Sequence, residues 1–75
     1  SSEPITATLQ GEFSGFSQGR TYTLDNGQVW EQTDATRVSG VRKQSPKVSI
    51  RPGVMGVWYM KVEGSNTQPK VRRTK

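Results

Sequence analysis

Histidine and cysteine are both absent from this 75-residue chain. Without cysteine, no disulfide and no thiolate metal site supports the fold. Without histidine, the commonest metal ligand and the usual general base near neutral pH are missing as well. Six carboxylates remain as possible metal ligands, and they show no calcium-loop spacing. Glycine patterns that cradle phosphates, G-x-x-x-x-G-K-[ST] or G-x-G-x-x-G, do not occur. Neither a metal nor a cofactor is therefore expected. No apolar run approaches the roughly 18–20 residues needed to span a bilayer. Neither asparagine opens an N-x-[ST] acceptor, because Asn26 and Asn66 are each followed two places on by Gln.

Large apolar residues are scarce too. Hydrophobic residues make up 29% of the chain, and Leu, Ile, Val and Phe together number 14. A chain this short buries only about 60% of the surface it exposes when unfolded, so the composition borders on that of disordered proteins. Pattern argues against disorder. Short β-branched and aromatic runs are punctuated by Gly, Pro, Asn and Asp, the layout of strands and turns. The chain begins at Ser1 rather than Met, as expected of a processed or excised polypeptide whose leader would leave no trace.

What is present is charge, unevenly spread. Residues 1–36 carry one cation, Arg20, against five anions, for a net −4; residues 37–75 carry ten cations against Glu63, for +9. Such asymmetry fits an anionic partner, or two solvated faces of opposite sign on one domain.

The local patterns read as strands. Residues 1–6, with Pro4, form a frayed lead-in. A first strand is expected over 7–13, with Ala7, Leu9, Gly11 and Phe13 on one face, and a second over 20–24. Between them, 14–19 makes a turn or bulged corner. "LDNGQVW", residues 24–30, is a hairpin signal, since Asn and Gly both accept positive φ. A two-residue loop, Asn26-Gly27, sets Leu24 opposite Val29. A three-residue loop, 25–27, sets Tyr22 opposite Trp30 and is preferred because Tyr22, Leu24 and Trp30 then share a face.

Residues 33–46 are polar, with a possible helical turn over 34–38 capped by Thr33 or Asp34; a connection of this length is often functional or mobile. Strands follow over 47–51, 56–62 and 70–73, with a type II turn at Pro52-Gly53 and another turn over 63–66. The fold class expected is all-β: a small antiparallel barrel of five or six strands over residues 7–73, SH3-like or OB-like, ending in a basic 74–75 tail.

One stretch, "GFSQG" at 15–19, matches the G-x-S-x-G elbow that presents a nucleophilic serine in α/β hydrolases. That motif needs a strand-to-helix turn and a histidine base. Here the following "RTYTL" is strand-like and no histidine exists, so Ser17 reads as a turn residue. Glu31 and Asp34 are close in sequence, but acid–base work by paired carboxylates needs an enclosed cleft. The chain is not expected to be an enzyme.

Binding is the remaining class. Arg42, Lys43, Lys47, Arg51, Lys61, Arg72 and Arg73 are the residues expected to meet an anion or partner. Small barrels hold single-stranded nucleic acid with a positive groove and exposed aromatics on which bases stack. Phe16, Tyr22, Trp30, Trp58 and Tyr59 are the aromatics available. Trp30 and Trp58 are assigned to the core, whose area this chain can hardly spare, leaving Phe16 and Tyr59 as the exposed contacts.

The segment "YTLDNGQVWEQ" at 22–32, together with "VSIRPGVMGVWYMKVEG" at 48–64, resembles a recurrent pattern in small exported domains of Gram-negative bacteria. These carry a phrase close to "LDNGQVW", a basic strand, a Gly-containing turn and a closing V-x-R element, which Val71-Arg72-Arg73 matches. The similarity spans roughly residues 11–73, and the heptad is its distinctive part. It implies a compact β-barrel in a periplasmic or exported setting, a cytoplasmic one being left open, and it brings no activity or site residues. The expected function is a non-enzymatic binding module of the bacterial envelope whose basic surface meets an acidic protein or anionic polymer. A nucleic-acid-binding barrel is the alternative.

Overall fold

Apolar and polar residues alternate along the longer strands, and that alternation sorts the inside of the sheet from its outside. The computed structural model of the chain describes residues 3–75. Eight strands are β1 (Ile5–Thr8), β2 (Glu12–Phe13), β3 (Thr21–Thr23), β4 (Val29–Gln32), β5 (Lys43–Gln44), β6 (Lys47–Pro52), β7 (Trp58–Val62) and β8 (Lys70–Arg73). Six of them form one antiparallel sheet in the order β1-β6-β7-β8-β4-β3, while β2 and β5 pair separately. The large sheet curls into a half-barrel. Its two edges are tied where Leu9 bridges Leu24, with Gln10 N–H donating to the Thr23 carbonyl and Asp25 N–H to that of Thr8. The all-β barrel expected from the sequence is the fold of the chain.

Inside the curl lie Val48 and Ile50 of β6, Met60 and Val62 of β7, Val71 of β8, Trp30 of β4 and Tyr22 of β3, all buried. Phe13 and Phe16 close one side, their rings 5.0 Å apart in an edge-to-face contact. Each such side chain contributes about 1.5–3 kcal/mol by leaving water, which is how a chain with so few apolar residues still folds. Its radius of gyration is 11.2 Å, that of a packed domain and far below the roughly 27 Å of an unfolded chain this long.

The β3–β4 hairpin has the three-residue loop. Tyr22 faces Trp30 and Thr23 faces Val29. Leu24 N–H donates to the Gln28 carbonyl and Gly27 N–H to that of Leu24. Gly27, at φ +88, occupies the left-handed position that such a loop requires.

Several sequence expectations need correction. The first strand is not continuous over 7–13. It starts earlier, with Ile5 opposite Ile50, and ends before a turn at Gly11 (φ +84); Glu12 and Phe13 then join β5. Of the lead-in, Ser1 and Ser2 lie outside the described residues, while Ile5 and Thr6 are already strand. The basic end is stitched to β4, through Thr74 and Lys75 N–H groups donating to the Val29 carbonyl.

Pro52-Gly53 is not a type II turn, since Gly53 has φ −110. The chain reverses later, where Val57 N–H donates to the Val54 carbonyl and Met55 and Gly56 have φ 58 and 77. Positive φ at both central positions is the pattern of a type I′ hairpin turn. Residues 34–38 form no helix: Asp34 Oδ1 accepts the Thr36 N–H in a side-chain turn, and Val38 exchanges backbone hydrogen bonds with Phe16. The long 33–46 connection is thus docked, by that bridge and by β5.

Candidate functional site

The residues that point away from the core on β1, β6 and β7 are polar, and the antiparallel registers set them in rows. Thr8 lies opposite Lys47, and Thr6 opposite Ser49. Ser49 in turn faces Lys61, and Arg51 faces Tyr59, which faces Lys70 of β8. The result is a shallow depression of about 290 Å3 lined by Thr6, Lys47, Ser49, Arg51, Lys61 and Glu63. Lys47 and Arg51 each sit diagonally from Lys61, a relation that brings long side chains within reach of one another.

Three of the seven expected cations, Lys47, Arg51 and Lys61, therefore gather on one face; Tyr59, expected to be exposed, lies in the adjoining row half-buried, its ring against Gly53. Lys70, not among the expected contacts, completes that row. Its signal was its alternation with Val71 in a strand too short to fix a face. All four cations are exposed. The ion pair found among the described residues is Arg72–Glu31 at 2.8 Å. Around Lys47, Arg51 and Lys61 the depression holds one carboxylate, Glu63, whose N–H donates to the Lys47 carbonyl, so positive charge is in excess there.

The other expected contacts go elsewhere. Arg42 is exposed on the 33–46 segment. Lys43 is half-buried, and its Nζ donates to the Glu63 carbonyl at 2.7 Å, fastening the turn after β7. Arg72 is taken up by Glu31. Arg73 lines a separate depression of about 350 Å3 with Glu3, Ile5, Trp30 and Trp58. Phe16 is not an exposed contact: at 1% exposure it is core. Its ring packs on Phe13 and Tyr22, because the docked 33–46 segment brings Val38 over it. Trp30 is buried as expected, and Trp58, half-buried, packs against it at 5.6 Å.

Ser17 of the "GFSQG" stretch lies in a turn. Its carbonyl accepts the Arg20 N–H, and β3, not a helix, follows. Beside it sits a buried polar network absent from the sequence reading. Gln32, 1% exposed, accepts the Tyr22 hydroxyl at 3.3 Å and donates to the Thr36 carbonyl at 2.6 Å and to Asp34 Oδ1 at 3.2 Å. Asp34 Oδ2 accepts the Lys70 N–H at 3.0 Å.

Burial raises the Asp34 pKa, but hydrogen bonds from the Lys70 and Thr36 N–H groups and the Thr36 and Gln32 side chains outweigh it and hold the carboxyl below its ordinary value. Burial pushes the Tyr22 phenol up, against weaker opposition from the Ser17 backbone hydrogen bond and the Arg20 charge. The network is a strut: it fixes the 34–36 loop to β8, and through it the strand that carries Lys70.

Chemically, the exposed face offers fixed positive charge, two hydroxyls (Thr6 and Ser49) and one phenol. No family model matches the chain, and neither curated proteins nor solved structures give a significant match. Among the described residues, no helix is long and apolar enough to cross a membrane.

Proposed function

We propose that this chain is a non-enzymatic binding module of the bacterial envelope, a small barrel of SH3-like or OB-like kind, whose β1–β6–β7 face takes up an acidic protein or anionic polymer. The observation that carries the reading is the excess of cations on this face. Lys47 and Arg51 sit diagonally from Lys61, within reach of its charge, and the three surround one depression that holds a single carboxylate, Glu63. A folded domain accepts such crowding where a partner supplies the missing negative charge.

Titration of the protein with polyglutamate tests it. Binding is expected to weaken steeply as salt rises, and Lys47→Gln with Lys61→Gln is expected to reduce it at least tenfold, about 1.4 kcal/mol. Polyglutamate binding that the double variant leaves intact would move the site off this face. Envelope location rests on the resemblance carried by "LDNGQVW". It predicts recovery from the periplasmic fraction, and exclusive recovery from the cytoplasm overturns it.

A second reading, nucleic-acid binding, is favoured by one feature: Tyr59 lies in a row between Arg51 and Lys70. An aromatic flanked by cations is the element on which single-stranded bases stack. With three or four phosphate contacts, log K for oligothymidine should fall with log salt at a slope of about −2 to −3, and Tyr59→Ala should abolish the stacking contribution. Absence of binding at about 50 mM salt removes this reading.

A further inference from the structure

The tip of the β6–β7 hairpin is the one place where the described residues expose large apolar side chains: Val54 is 77% and Met55 97% accessible. A second observation is independent of exposure. Met55 sits at φ 58, ψ 36, the left-handed region that a bulky residue enters only at a cost. Glycine or asparagine would hold the turn with less strain. The fold therefore gains nothing from methionine here, and a strained residue whose side chain projects into solvent points to a use outside the fold.

The surroundings define that use. Below the tip, Trp58 lies opposite Pro52 and Tyr59 opposite Arg51, while Arg73 shares a depression with Trp58, Trp30 and the carboxylate-bearing Glu3. Strands rise about 3.3 Å per residue, so the Trp58 row lies at most about 10 Å below Met55. Apolar residues at the apex, indole and phenol beneath and guanidinium groups at that level match the layering of a lipid interface. There apolar side chains reach some 5–10 Å in, and Trp and Tyr sit at the headgroups. We propose that this hairpin tip inserts into an anionic lipid surface, with Val54 and Met55 among the acyl chains and Arg51 and Arg73 at the lipid phosphates.

Two side chains are too small a patch for a stable protein interface, which needs on the order of 1,000 Å2. A membrane asks less, because a modest apolar anchor combines with attraction of several cations to anionic headgroups. The inference goes beyond the polyanion-binding reading: Arg51 belongs to both, but Val54, Met55 and Arg73 lie outside the depression that reading uses.

The test is flotation of the full chain with vesicles of phosphatidylcholine alone and of phosphatidylcholine mixed with phosphatidylglycerol. Binding is expected to the mixed vesicles, weakened by salt, with a blue shift of tryptophan emission. Met55→Asn should lower partitioning at least about tenfold while leaving the melting temperature unchanged or raised and polyglutamate binding intact. Arg73→Gln should weaken binding to the mixed vesicles and flatten its salt dependence.

No association with either vesicle, or association that Met55→Asn does not alter, overturns the proposal. So does a fall in melting temperature of Met55→Asn, which would make the methionine structural. A self-associated form in sedimentation that Met55→Asn dissolves would assign the tip to a second copy of the chain and equally overturn it.

Discussion

Gln32 and Asp34 fasten the loop over the phenol end of the core, and the consequence is a dependence on acidity. The Asp34 carboxyl is held below its ordinary pKa in the folded chain, so as the pH falls the unfolded chain takes up the proton first. The contribution is present in full above the unfolded value near 3.9 and is lost as the pH drops through the folded one. Asp34→Asn should therefore melt below the parent near neutral pH, with the gap closing as the pH falls below the ordinary carboxylate range. Circular dichroism melts across that range check it, and a gap that stays constant contradicts it.

Gly27 makes the second residue-scale prediction. At φ +88 a β-branched side chain is strained, so Gly27→Val should cost roughly 1–2 kcal/mol, a drop of several degrees in a domain this size. The turn glycine was readable because Asn-Gly is a local signal. Gln32 was not: its burial depends on carbonyls of residues 34 and 36 that only the folded loop delivers. Phe16 misled for a related reason. Flanked by Gly15 and Ser17, it shows no alternation, and the residue that covers it, Val38, is distant in sequence.

At the level of elements, legibility followed length. β6 and β7 carry long alternations, and the residues they bury, Val48 with Ile50 and Met60 with Val62, follow that two-residue period. The β3–β4 register was read from the requirement that Tyr22 and Trp30 share a face. The pairing of β2 with β5 had no such signal, because two-residue strands have no period. The same docking makes Gly15 irreplaceable: a Cβ there would collide with the Val38 carbonyl oxygen. Phe16 belongs to this element-scale contact, and Phe16→Ala should cost about 3–5 kcal/mol. That is a large share of the stability of so small a domain, and urea unfolding reads it directly. A loss under about 1 kcal/mol would return Phe16 to the surface.

For the whole molecule, the opposite charges of the two sequence halves do not become two separate faces. Glu31 reaches Arg72, and Asp34 binds the Lys70 N–H; the barrel weaves the acidic half into the basic one. What remains in excess is the positive charge of the group on β6, β7 and β8. Relieving its internal repulsion should stabilise the fold: Lys61→Gln is expected to raise stability by a few tenths of a kcal/mol at low ionic strength, with the gain fading in high salt. Thermal melts at two salt concentrations measure this, and a destabilised variant at low salt would mean that Lys61 is compensated in solution. Which cations would meet was only partly legible, since Arg42, Lys43 and Arg72 were indistinguishable in the sequence from those that stay free.

The strand order has its own outcome. β8 is the last strand of the chain yet lies inside the sheet, between β7 and β4. A ribosome delivers that central stave only after all the others, so the earlier strands must wait without their shared neighbour. Until residues 70–73 are in place, β7 and β4 have no common partner, and the curled sheet exists only as two unjoined pieces.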